Sequence, residues 1–208
     1  MDLFNSAALQ LLEPLSPPYE AVRGYVRNEQ TTLEISKKIV TLKEETSVVT
    51  DGAGRAVVTV TGPAFWLNHF KTVYDGNGTV PLFRMRNKKA SMLRLYICED
   101  GRTELFRVQR KWTWWRVKLH AVVPSTVGNA PTLELVGSMS GNSAEIRELH
   151  SGALVATLAH SWKMEDVFKN KERYCVKVAA GVDLSVVVAL CLAFDQCKED
   201  DRAAGGGG

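Results

Sequence analysis

The hydrophobic positions of this chain follow two different periods. Over residues 57–61, 80–85, 93–98, 105–109, 114–122, 133–137, 153–159 and 174–178, short β-branched and aromatic runs read as strands. Several alternate cleanly. Trp115, Val117, Leu119 and Ala121 are expected on one face, with Arg116, Lys118 and His120 on the other, as in a half-buried strand. Between the runs stand Asp51-Gly52-Ala53-Gly54, Asp75-Gly76-Asn77-Gly78, Asp100-Gly101 and Ser151-Gly152. These supply the positive-φ positions of tight hairpins. The first turns begin one hairpin's length apart, which suits an antiparallel meander. No strand–helix alternation exists, so a parallel α/β sheet is not expected.

The second period lies at 182–196. Eleven residues, Leu184 through Phe194, stand between Asp183 and Asp195 and are apolar apart from Ser185. Gly181 breaks the preceding strand and Asp183 is placed as an N-cap. The β-branched Val186, Val187 and Val188 keep a buried strand in view, but all-round apolarity and length favour a helix surrounded by protein. A membrane span needs about 20 apolar residues, and lengthening this run brings in an aspartate at either end. At about 1.5 Å per residue the helix matches strands of about six or seven residues. A sheet curled around it would fit end to end.

Composition adds limits. The 208 residues, 45% hydrophobic and 24% charged, suit one β-rich domain. Residues 1–30, with Pro14, Pro17 and Pro18, read as an N-terminal extension, residues 31–198 as the domain, and residues 199–208 as a flexible tail. The start of the chain has no basic, apolar, small-residue order of a secretion signal, so a cytosolic protein is expected, with attachment at the plasma membrane surface the alternative that lipid binding would bring. Cys98, Cys175, Cys191 and Cys197 lack CxxC spacing and sit in or beside apolar runs, as buried free thiols do. Net charge is only +3, yet from Arg84 to Lys118 eleven Lys or Arg face three acids.

The order of motifs resembles the LURP-one-related family, part of the Tubby C-terminal-like superfamily that includes phospholipid scramblases. The resemblance runs from Thr31 to Asp195. It is carried by Leu33-Glu34-Ile35-Ser36-Lys37-Lys38, then by Asp51-Gly52-Ala53-Gly54 with Val57-Val58-Thr59-Val60. Asp75-Gly76-Asn77-Gly78 leading into Val80–Arg86 follows, and Tyr174-Cys175-Val176-Lys177-Val178 before the apolar helix closes the series. The resemblance implies a mainly β fold, a closed antiparallel barrel of about twelve strands around the hydrophobic C-terminal helix. It implies non-enzymatic binding of anionic phospholipid, or a scramblase-like activity, or a protein-interaction scaffold in stress or defence signalling. Trp112-Thr113-Trp114-Trp115 and the proline-bearing N-terminus depart from the family pattern.

Catalytic and metal chemistry find little footing. His69, His120, His150 and His160 lack zinc spacing, and no nucleophile elbow or P-loop is present. Asp75 to Thr79 opens like a calcium loop, but position twelve is Arg86 where a bidentate Glu is needed, so a hairpin turn is expected. No cofactor is expected. The leading candidates are basic: Arg84, Arg86, Lys88, Lys89, Arg110, Lys111, Arg116 and Lys118 for a phosphoinositide head group, with Trp112 and Trp114 at the lipid interface. The competing reading is a solvated outer barrel face with the tryptophans partly in the core. Nucleic acid would use the same charge, but no binding motif or stacking platform accompanies it.

Overall fold

The structure, a computed structural model, describes residues 11–39, 44–63, 70–88, 94–124, 132–138, 143–160 and 172–205. The described residues form twelve strands ahead of a helix: β1 (Thr31–Ile39), β2 (Glu44–Asp51), β3 (Ala56–Pro63), β4 (Phe70–Asp75), β5 (Pro81–Lys88) and β6 (Leu95–Asp100). β7 (Thr103–Lys111), β8 (Arg116–Val122), β9 (Thr132–Ser138), β10 (Ser143–Glu148), β11 (Leu154–His160) and β12 (Glu172–Val178) complete the set. Each pairs antiparallel with its neighbour in sequence, and β1 pairs with β12, Leu33 opposite Val176 and Ile35 opposite Tyr174. The sheet is therefore a closed barrel with no free edge.

Among the described residues a helix, α1 (Leu184–Gly205), fills it. Residues 184–197 are all buried, as a helix without a polar face requires. Inward positions alternate along the strands: Phe83 and Met85 on β5, Phe106 and Val108 on β7, Val117, Leu119 and Ala121 on β8, Leu133 and Leu135 on β9. Phe83 and Phe106 meet edge-to-face at 5.2 Å. Where the helix needs room the wall narrows to Gly137, at which a Cβ would lie 2.4 Å from the Phe194 ring.

Two expectations change. Strand β8 begins at Arg116, and Trp115 is 83% exposed instead of sharing the inner face of Val117, Leu119 and Ala121. The four-residue connection after Lys111 is too short to turn its side chains back into a lumen already filled by the helix. Second, the helix does not stop with the apolar run, and residues 199–205 continue it. Its added turns carry acids that meet cations of the barrel wall, as described below.

Residues 11–30 lie across the end where the helix begins. Leu12, Tyr19 and Val22 are buried there. Tyr19 N–H donates to the Gly181 carbonyl at 2.8 Å, and Leu15 N–H to that of Ala180 at 2.9 Å. Asp183 ties this segment to the helix. Its Oδ2 accepts N–H bonds from Ala21 and Val22 at 2.9 and 2.7 Å, while its Oδ1 accepts from the backbone and hydroxyl of Ser185. Burial pushes the Asp183 carboxyl up, opposed by those four donors. The N-cap thus serves two chain segments at once. Gly181, at φ 81°, makes the turn and lets the Leu15 carbonyl approach where a Cβ would stand.

Replacing Gly137 with Ala should cost about 1–3 kcal/mol through overpacking against Phe194, read from urea denaturation; an unchanged midpoint would show that the helix can shift. Acid should also weaken the fold. Backbone donors from residues 53, 55, 79 and 80 hold the turn carboxylates of Asp51 and Asp75 below their usual range. Such groups add stability above their unfolded pKa of about 4, and lose it as pH falls through the depressed folded value. Urea midpoints should accordingly fall between about pH 5 and 3.

Candidate functional site

In an up-and-down barrel the odd strands end, and the even strands start, at one rim. The same rim receives the C-terminal end of α1, whereas residues 11–30 cover the opposite end. The β7–β8 turn projects from this rim. Trp112, Trp114 and Trp115 are 62%, 72% and 83% exposed, and the Trp112 and Trp114 rings meet edge-to-face at 4.3 Å. The Thr113 hydroxyl donates to the Arg116 carbonyl across the turn. Three exposed indoles on one short turn have no role in the core, so the expectation that they lie partly inside it does not hold.

The basic residues divide into three groups. Arg84, Arg86 and Lys88 line the outer face of β5; Arg84 sits 5.0 Å from the centre of the Phe70 ring, and Arg86 pairs with Glu99 at 3.1 Å. Lys89 lies outside the described residues. Lys111 and Arg116 flank the tryptophans, with Lys111 bonded to Gln109 Oε1 at 2.8 Å. On the outer face of β8, Lys118 and His120 share Glu134 at 3.0 and 2.7 Å. Burial alone would raise the Glu134 carboxyl, but these two donors hold it below the usual range. Three inter-strand steps of about 4.8 Å separate β5 from β8, and Arg84, opposite Glu99, lies away from the rim, so the described cations form a band over the outer wall and not one concavity.

Arg110 departs from the others. It follows the inward register of Phe106 and Val108, and its guanidinium grips Asp201 of α1 with two bonds of 2.9 and 2.8 Å. Beside it Arg94 pairs with Asp200 at 2.8 Å. Across the lumen Lys37 lies 3.7 Å from Asp195 and 3.3 Å from Glu199, and Lys71 lies 3.1 Å from Glu45. Burial lowers the Lys71 pKa, with Glu45 opposing that shift. Sequence reasoning missed Lys37, Lys71, Arg94 and the helix acids. The available signal was an acidic stretch prolonging an apolar helix, read instead as a tail.

No group of described side chains is arranged to hold a metal ion. Cys98, Cys191 and Cys197 are buried and Cys175 is half-buried. Burial pushes the Cys191 thiol up to about 12 and that of Cys197 to about 11, which removes their nucleophilic form at neutral pH.

The LURP-one-related family model matches residues 31–195, from β1 to the middle of α1. The chain belongs to the LURP-one-related family. It is 27% identical over 179 residues to Protein LURP-one-related 15 of Arabidopsis thaliana, covering 83% of this chain and 82% of that protein. Its fold matches the X-ray structure of an Arabidopsis thaliana protein with a TM-score of 0.58 at 20% identity, over 86% of this chain and 96% of the other. The Tubby-like barrel around a helix is thus shared, while the tryptophan turn and the pairing of strand cations with helix acids are described from this LURP-one-related chain itself.

Reversing one partner of the Arg110–Asp201 pair should be costly. Arg110→Asp alone is expected to lower stability by about 2 kcal/mol, and adding Asp201→Arg to recover at least half of that. Denaturation of both variants at low and high salt checks the pairing, since a pair this accessible should weaken with salt.

Proposed function

We propose that this LURP-one-related domain is a non-catalytic module that binds anionic phospholipid surfaces reversibly, rim first. The observation that carries the reading is the exposure of Trp112, Trp114 and Trp115 beside Lys111 and Arg116. Indoles favour the layer between head groups and acyl chains, and a flanking cation adds about 1 kcal/mol near an anionic leaflet. Lys88, at the rim end of β5, extends the basic band toward the same plane. Either contribution alone gives weak attachment; a peripheral protein combines the two.

Scramblase-like translocation draws no support from the helix. Among the described residues no helix is long and apolar enough to cross a membrane, and α1 gives its apolar length to the barrel. A protein-interaction scaffold would use the same exposed indoles, with a partner surface in place of lipid.

Vesicle co-sedimentation separates these. Wild type should pellet with phosphatidylinositol bisphosphate vesicles in a salt-sensitive way, and W112A/W114A/W115A should lose at least about fivefold in affinity. Exposed positions of this kind change stability little, so the variant should remain folded. Equal recovery on neutral and anionic vesicles at low salt would sink the reading.

A further inference from the structure

The two halves of α1 are held by different forces. Down to Cys197 the helix is held by burial. From Lys198 to Arg202 no side chain is fully buried, and the acids Glu199, Asp200 and Asp201 are tied to the wall by ion pairs. Their location is unfavourable for an isolated helix, because carboxylates near a C-terminus repel the negative end of the helix dipole. Partly exposed ion pairs are individually weak and salt-sensitive, so these last turns belong to the least stable part of the fold.

Beneath them lies an arrangement suited to another anion. Arg110 N–H donates to the Arg94 carbonyl at 2.8 Å, which places the two arginines side by side at the inner rim of adjacent strands. Arg110 already holds a planar carboxylate with both terminal nitrogens, the geometry with which guanidinium also holds phosphate. On β5, the strand beyond that of Arg94, Asn87 faces inward opposite Tyr96, one inward row deeper than Arg94, and is only 9% exposed. Its amide nitrogen and oxygen have no hydrogen-bond partner among the described residues. A buried amide left without partners ordinarily costs stability, so one on the inner wall a row below Arg94 calls for an occupant.

We propose that Arg94, Arg110 and Asn87 form a phosphate-binding site, covered by the Asp200 and Asp201 carboxylates, which a phosphorylated polyol displaces when it binds. The helix end acts as a tethered competitor, and apparent affinity is reduced by the fraction of molecules in which it is seated. Only the assignment of lipid as the source of the phosphate rests on the membrane reading above.

Calorimetric titration of the full chain with soluble inositol trisphosphate tests the site without any membrane. D200N/D201N should bind about tenfold or more tightly than wild type, because the competitor has lost its charge. Adding R94Q/R110Q should abolish that gain. A charge-matched control at the opposite end, E20Q/E29Q, should stay within about twofold of wild type. Equal affinity of D200N/D201N and wild type overturns the proposal, as does the same gain in the control or a gain that survives loss of both arginines. A second measurement needs no variant: saturating inositol trisphosphate should speed amide exchange over residues 198–205 of wild type, and unchanged or slower exchange overturns the displacement. Vesicles of phosphatidylinositol bisphosphate, compared with phosphatidylserine vesicles of equal charge, then separate a lipid source from a free one. Failure of vesicle binding with the soluble titration intact removes the membrane reading and leaves the covered site standing.

Discussion

A helix with no polar face can be stable only if it is wrapped on every side, and the rest of this fold follows from that requirement. An open sheet would leave part of the 184–197 surface wet. Closure of β1 onto β12 removes the gap and, at the same time, satisfies the edge hydrogen bonds that an open sheet would expose. The fit is tight at Gly137, where the wall has no side chain because Phe194 occupies the space. Asp183 fixes where the helix starts, and residues 11–30 exclude water from that end.

The requirement ends where the apolar run ends. Beyond Cys197 the helix reaches the rim, and charge replaces packing as the means of attachment. The molecule therefore has one end built from buried backbone hydrogen bonds and one built from ion pairs. The exposed tryptophans are on the second end, so the chemistry that can meet a partner gathers where the core exerts least control. This separation lets the rim vary without disturbing the interior.

Legibility in the sequence followed the strength of the local pattern. The helix core and the strands around Phe83, Leu119 and Val176 could be read because apolar residues repeat at the right period. Strands β2 and β10, Glu-Glu-Thr-Ser-Val-Val-Thr-Asp and Ser-Ala-Glu-Ile-Arg-Glu, were much less visible, since few of their positions are hydrophobic and pairing with both neighbours makes them strands. The basic residues were found as a list but not as a geometry. Arg110 differs from Lys111 only by the parity of one strand, which sends one to the helix and the other to solvent. The outward turn of Trp115 was likewise hidden, because nothing local marks the residue at which β8 begins. Asn87 gave no signal, being an ordinary polar residue in a basic stretch until its surroundings are seen.

The position of the helix in the chain also governs how the protein comes to exist. Every strand leaves the ribosome before the segment that fills the lumen, and β1 must wait for β12 before the wall can close. Until then the inward leucines, valines and phenylalanines face water or one another. Local hairpins can form early, but the one pairing that closes the wall, β1 with β12, spans nearly the whole domain, and non-local pairing of this kind is slow. Until α1 emerges, the inward faces of any hairpins already formed have nothing to cover them, the condition in which partly folded chains aggregate. A protein whose finished form has no sheet edge is thus born with its longest edges open.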